Sequence, residues 1–166
     1  MKKVLVTISA LLLTAMLAVT CISCGKSADN TLTGTWESDF SYDMAEIGLS
    51  GKISGTMRIV ANSETEGTLY EGLNIEEFKN LLKQQGYDPE EMFQTVVQLM
   101  EMGIGEKTEQ KDGLLWLPVS KITFSEGKVL DDSNEQVGTY ELKDGKLSVT
   151  MENEKGQDET HVFTKK

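Results

Sequence analysis

The sequence predicts a mainly β protein of about eight antiparallel strands interrupted by one two-helix hairpin, and three patterns predict it. Apolar and polar residues alternate with period two through "LTGTWESDFSYD" and "KISGTMRIVAN". Asp144 and Gly145 sit between two further alternating runs, where a two-residue hairpin turn belongs. Between residues 74 and 103 the period changes to that of amphipathic helices. At 166 residues and 39% hydrophobic content, the chain can bury one modest core and has little room for a second independent domain.

The first strand places Leu32, Gly34, Trp36, Ser38, Phe40 and Tyr42 on one side, with Thr33, Thr35, Glu37, Asp39 and Ser41 on the other. The second repeats this with Ile53, Gly55, Met57, Ile59 and Ala61 against Lys52, Ser54, Thr56 and Arg58. A turn near Asn62 and Ser63 joins it to a third strand in "SETEGTLYE". Asn74 with Glu77 then opens a helix in the manner of a capping box, with Ile75, Phe78, Leu81 and Leu82 as its apolar stripe up to Gly86. Asp88, Pro89 and Glu91 open a second helix. At about 100° per residue, Met92, Phe93, Val96, Val97, Leu99 and Met100 cover an arc of about 160°, and the helix ends near Gly103.

"LLWLPV" follows, with Pro118 marking an edge or bend. "ITFSEGKVL" reads as a hairpin turning at Glu126 and Gly127, with Phe124 opposite Val129. In "GTYELKDGKLSVTM" a type I′ turn at Asp144-Gly145 pairs Lys143 with Lys146, Leu142 with Leu147, Tyr140 with Val149 and Gly138 with Met151. That register puts every apolar residue on one face. A three-residue loop at Glu154-Lys155-Gly156 would set His161 opposite Val149 and Phe163 opposite Leu147, whereas a loop one residue different turns both outward. The first register is preferred because it buries Phe163.

With "GTW" on its first strand, this arrangement resembles the lipocalin-like domains of bacterial lipoproteins over residues 32–166. The resemblance implies a closed antiparallel barrel in which Trp36 packs across one end with Gly34 as its small partner. "ITFSEGKV" and "VGTYELKDGKLSVT" look like the closing hairpins of that group. Three features depart from it. Arg58 is the only arginine, so the C-terminal arginine that stacks on the lipocalin tryptophan is missing; the chain ends on a strand; and a helical hairpin, residues 74–103, is inserted.

The N-terminus carries a second resemblance. Lys2 and Lys3 precede an apolar and weakly polar stretch from Val4 to Thr20, and no acid occurs before Asp29, which is the pattern of a secretory signal. At about 17 residues the stretch is at the short limit for a membrane-spanning helix. Ile22-Ser23-Cys24 followed by Gly25 resembles the lipobox of bacterial lipoproteins, departing from it at Cys21, where leucine is usual. Cys24 fits better than Cys21, which has Thr20 where the motif takes Gly, Ala or Ser. The resemblance implies lipid attachment to the Cys24 thiol and cleavage before it. Residues 1–23 are then the signal peptide, 24–31 the lipidated end and linker, and 32–166 the domain. A redox or zinc role for the Cys21–Cys24 pair lacks a folded setting and a second ligand pair. Gly25-Lys26-Ser27 lacks the upstream glycine and strand of a phosphate loop.

The formal net charge is −11, and losing the two lysines of residues 1–23 makes the remaining chain −13. Such a surface repels nucleic acid, so no nucleic-acid partner is expected. No cofactor or metal is expected either. His161, the only histidine, has no cysteine or histidine partner and reads as a wall residue. "DDSNE", Asp131 to Glu135, lacks the glycine and spacing of a calcium loop, and no "GxSxG" or "HExxH" occurs. An enzyme is not expected. The inward wall predicted for the barrel comprises Trp36, Phe40, Met57, Ile59, Tyr140, Val149 and Met151, with Leu142 and Leu147 beside them. Gly34, Ser38, Gly55 and Gly138 could leave space among them. The leading expectation is a lipid-anchored, extracytoplasmic binding module that takes a small apolar ligand under a methionine-bearing helical lid. The alternative is a cavity-free module in which the helices plug the barrel and the exterior contacts another envelope protein.

Overall fold

A computed structural model of the chain describes residues 30–152 and 156–166. The expectations for the signal, for Cys21 and Cys24, and for loop residues 154 and 155 lie outside the described residues.

The strands are β1 (Gly34–Asp43), β2 (Lys52–Ala61), β3 (Glu66–Asn74), β4 (Glu109–Lys111), β5 (Leu114–Ser125), β6 (Lys128–Leu130), β7 (Gln136–Lys143), β8 (Lys146–Glu152) and β9 (Asp158–Lys165). They are hydrogen-bonded in the order β3-β2-β1-β9-β8-β7-β6-β5, and β3 pairs with β5 to close an antiparallel eight-stranded barrel. This architecture is compatible with a lipocalin-like barrel. The short β4 adds to the outer edge of β5. Two helices, α1 (Ile75–Gln84) and α2 (Pro89–Ile104), lie between β3 and β4. We call the end holding the tight turns at Asn62–Thr65, Glu126–Gly127 and Asp144–Gly145 the lower end, and the end holding the helices the upper.

Local chemistry places these elements as the pattern predicts. Asp144 and Gly145 take φ of 53° and 72°, and the β7–β8 register matches Tyr140 with Val149 and Gly138 with Met151. β8 and β9 pair Val149 with His161 and Leu147 with Phe163, so the register that buries Phe163 is the one formed. Pro118 lies at an irregularity in the β3–β5 ladder, where Leu69 faces Ser120 and Tyr70 faces Pro118, leaving Val119 as an extra, exposed residue. A bulge suits proline, which has no N–H to give to the ladder.

Asn74 and Asp88 cap the helices through their side-chain oxygens. Glu77 does not complete a capping box. Its carboxylate turns to β2 instead, accepting from the Ser54 N–H at 2.6 Å and the Ser54 hydroxyl at 2.8 Å, and so stitches α1 to the barrel. α1 ends on Gly86 in the left-handed region, with Tyr87 N–H reaching the Leu82 carbonyl at 3.1 Å. α2 runs one residue beyond Gly103 and ends against Gly105, whose φ is 75°. Leu99, counted in its apolar arc, lies at the edge of that arc and is 57% exposed.

Two apolar groups fill the fold. The lower one gathers Trp36, Met57, Ile59, Phe124, Leu147, Val149 and Phe163; the upper one gathers Met44, Ile53, Leu73, Phe78, Leu82, Phe93, Val97 and Leu115. Phe40 packs against both, which makes the core continuous.

Candidate functional site

All seven predicted lining residues fall in the lower cluster or against it. Trp36, Met57, Ile59 and Val149 are buried. Phe40, Tyr140 and Met151 remain partly exposed. Trp36 is fully enclosed, and its indole N–H donates to the Leu32 carbonyl at 2.6 Å. The Lys165 ammonium lies 5.3 Å from the centre of its ring and donates to the Thr31 carbonyl and hydroxyl. A lysine on the last strand thus covers the tryptophan in the absence of an arginine. Gly34, at φ 131°, makes this contact possible, because a Cβ there would come 2.8 Å from Lys165 Cε. A basic residue with inward parity on the final strand was the sequence signal for it.

At Gly55 and Gly138 the space that a small residue could have left is taken. A Cβ on Gly55 would meet Phe40 Cε1 at 2.5 Å, and one on Gly138 would meet the Thr150 carbonyl and Met151 Cγ. The helices act in the same sense: Phe78, Leu82 and Phe93 are fully buried against β2, β3 and β5 residues, with Phe78 and Phe93 edge to face at 5.5 Å.

The barrel is less closed along one line. β1 and β9 pair only at Trp36–Lys165 and Glu37–Thr164, with Lys166 N–H reaching the Thr35 carbonyl below them. Above Glu37, β1 continues to Asp43 and β9 is present from Asp158, yet these stretches pair only with β2 and β8. The inward residues beside this seam are Phe40 and Tyr42 on β1, and Glu159 and His161 on β9. Met151 and Tyr140 follow on β8 and β7. Phe40 and Tyr42 pack edge to face at 6.4 Å, and Tyr140 packs on Phe124 at 5.0 Å. His161 is largely buried, with Nε2 3.6 Å from a Glu159 carboxylate oxygen. Among the described residues no group of histidine, cysteine or carboxylate side chains is arranged to hold a metal. Asp131 turns its carboxylate onto the N–H groups of Ser133 and Glu135, closing the "DDSNE" loop on itself.

Outside the barrel, Arg58 stacks on Trp116 at 3.7 Å and pairs with Glu37 at 2.7 Å. Lys166 adds a second cation to Glu37 at 3.2 Å. Burial pushes the Glu37 carboxyl up, but the hydrogen bonds and charges of Arg58 and Lys166 outweigh this and hold it below its ordinary range. Trp116 fits over Gly72, and its buried indole N–H has no partner among the described residues. At the far end of α2, Leu99 and Met102 are exposed, the latter by 75%. Ile104 and Val119 help line an outer groove of 330 Å³ with Tyr70, Glu106, Lys121 and Asp132. Among the described residues no helix is long and apolar enough to cross a membrane. No family model, curated protein or solved structure matches the chain.

Proposed function

We propose that the chain is a lipid-anchored, extracytoplasmic interaction module of a bacterial envelope, with a lipocalin-like barrel as its scaffold. The observation that carries the reading is the use of the two helices. Their aromatic residues complete the core at the upper end, while Leu99 and Met102 stay in solvent on the last turns of α2. Exposed apolar side chains gathered on one helix end suit a protein partner. The anchor is Cys24, supported by the basic start, the apolar stretch and Ser23 and Gly25 on either side of it. Leu32 and Thr33, which lead into β1 at the lower end, are held by Glu64. The helices and the open part of the seam are at the other end. The strongly acidic composition favours a partner with a basic face.

A photo-reactive residue at Leu99 or Met102 in intact envelopes tests the reading. It predicts a discrete protein adduct from both positions and none from Thr139 on the outer face of β7. Equal, diffuse labelling from all three would overturn it. Cys24→Ala should move the protein out of the membrane fraction. A second reading, a carrier of a small apolar molecule, is favoured by the partial exposure of Phe40, Tyr140 and Met151 on the inner wall. It predicts a bound mass of a few hundred daltons in the gently purified protein.

A further inference from the structure

The seam between β1 and β9 has the construction of a strand-acceptor site. Lys166 N–H bonds Thr35 and Met44 N–H bonds Gly51. In an antiparallel ladder, alternate residues direct both backbone groups to the same neighbour. Odd-numbered residues of β1 therefore face β9, and even-numbered ones face β2. Asp39, Ser41 and Asp43 direct their N–H and C=O groups into the stretch where the β1–β9 pairing has ended. By the same parity, β9 directs Asp158, Thr160 and Val162 into it from the other side. These two edges lie within an otherwise continuous barrel wall, and an unpaired edge is a template for another extended chain.

The side chains define what fits. The inward residues next to the gap are Phe40 and Tyr42 on β1 and Glu159 and His161 on β9, with Met151 behind them on β8, so the floor is aromatic along β1 and polar along β9. The outward residues include Asp39, Asp43 and Asp158, none of which has an ion pair among the described residues, and Lys52 stands across the ladder from Asp43. We propose that this seam binds an extended peptide segment of a partner protein, antiparallel to the Asp39–Asp43 edge of β1, with apolar side chains inward and basic side chains outward. The proposal rests on the interaction-module reading and names the recognition mode and the chemistry of the partner. The inward positions favour apolar side chains because they meet Phe40 and Tyr42 along the β1 edge. The outward positions favour Lys or Arg because they lie beside Asp39 and Asp158, while the Asp43 carboxylate accepts the Ala45 N–H.

The test uses the full chain in mild detergent with two eight-residue probes, one alternating valine and lysine and one alternating valine and glutamate. Amide hydrogen exchange is followed residue by residue. The valine–lysine peptide should bind and slow exchange at Asp39, Ser41 and Asp43; the valine–glutamate peptide should not. Ser41→Pro removes a seam-facing N–H that the β1–β2 ladder does not use, and should abolish the protection. Asp39→Lys combined with Asp158→Lys, which leaves every backbone group in place, should weaken binding at least tenfold. Protection confined to another surface, or equal binding of both peptides, would overturn the proposal. A photo-adduct at Leu99 or Met102 with no peptide protection in the seam would overturn this inference alone. Absence of both would overturn the interaction-module reading with it.

Discussion

Trp36→Ala removes the largest side chain of the lower core. Trp36 is fully enclosed, packed with Leu32, Ile59 and Phe163, covered by Lys165 and hydrogen-bonded to the Leu32 carbonyl. Truncating a buried aromatic residue to alanine costs about 3–5 kcal/mol, because the transfer free energy is lost and the neighbours refill the cavity only in part. The indole hydrogen bond lies within that range: removing it leaves one buried carbonyl unsatisfied, itself a cost of about 1–3 kcal/mol. For a domain of this size, about 4 kcal/mol lowers Tm by roughly 8–16 °C. Trp36→Phe retains most of the ring contact and loses mainly the N–H, so it should cost about 1–2 kcal/mol and roughly 3–6 °C. Thermal unfolding followed by circular dichroism measures both. A fall of less than about 3 °C for Trp36→Ala, or equal falls for the two variants, would refute Trp36 as the closing element of the barrel.

Three other outcomes follow from the same geometry. Gly55→Ala drives a methyl group against Phe40 and the Gly72 carbonyl, which should destabilise by about 1–3 kcal/mol in a denaturant titration. A neutral result would mean that Phe40 does not occupy that space. Asp88→Ala removes the acceptor for two N–H groups at the start of α2 and should cost about 1 kcal/mol by the same assay, with Asp88→Asn retaining most of it. The Glu37 carboxyl is lowered from 4.5 in the folded protein, so its stabilising contribution is fully present above that value and is lost as pH falls through the folded pKa beneath it. Glu64, Glu77 and Glu101 are lowered in the same direction, each chiefly by accepting a backbone N–H. Tm should therefore hold steady from neutral pH to about pH 5 and then decline, and Glu37→Gln should be less stable at neutral pH with a shallower acid decline. An unchanged acid limb in Glu37→Gln would contradict this.

Much of the fold was legible because its signals are local. The Asp144-Gly145 turn fixed the β7–β8 register without reference to the rest of the chain, and the period-two runs placed β1 and β2. The closure of the barrel was not legible from spacing, since the β3–β5 and β1–β9 pairs join segments far apart in the chain. β4 was missed because Glu109, Gln110 and Lys111 have no apolar face. "LLWLPV" hid two environments in one apolar run: Leu115 and Leu117 belong to the upper core, while Trp116 lies under Arg58 on the outer face. The seam was not legible in Asp39–Asp43, which alternates like a paired strand, and its one trace on β9 is the polar pair Glu159 and His161 at inward positions. The lining residues were legible as a set, but their exposure depends on where β1 and β9 stop pairing.

The most direct test of the central account, a barrel filled by its own side chains and completed by its helices, is native mass spectrometry of the gently purified chain from several preparations. It should give the mass of the chain with its N-terminal lipid and no further small molecule. A discrete, dissociable addition of a few hundred daltons that disappears in a folded Tyr140→Glu variant would contradict the account and establish a carrier.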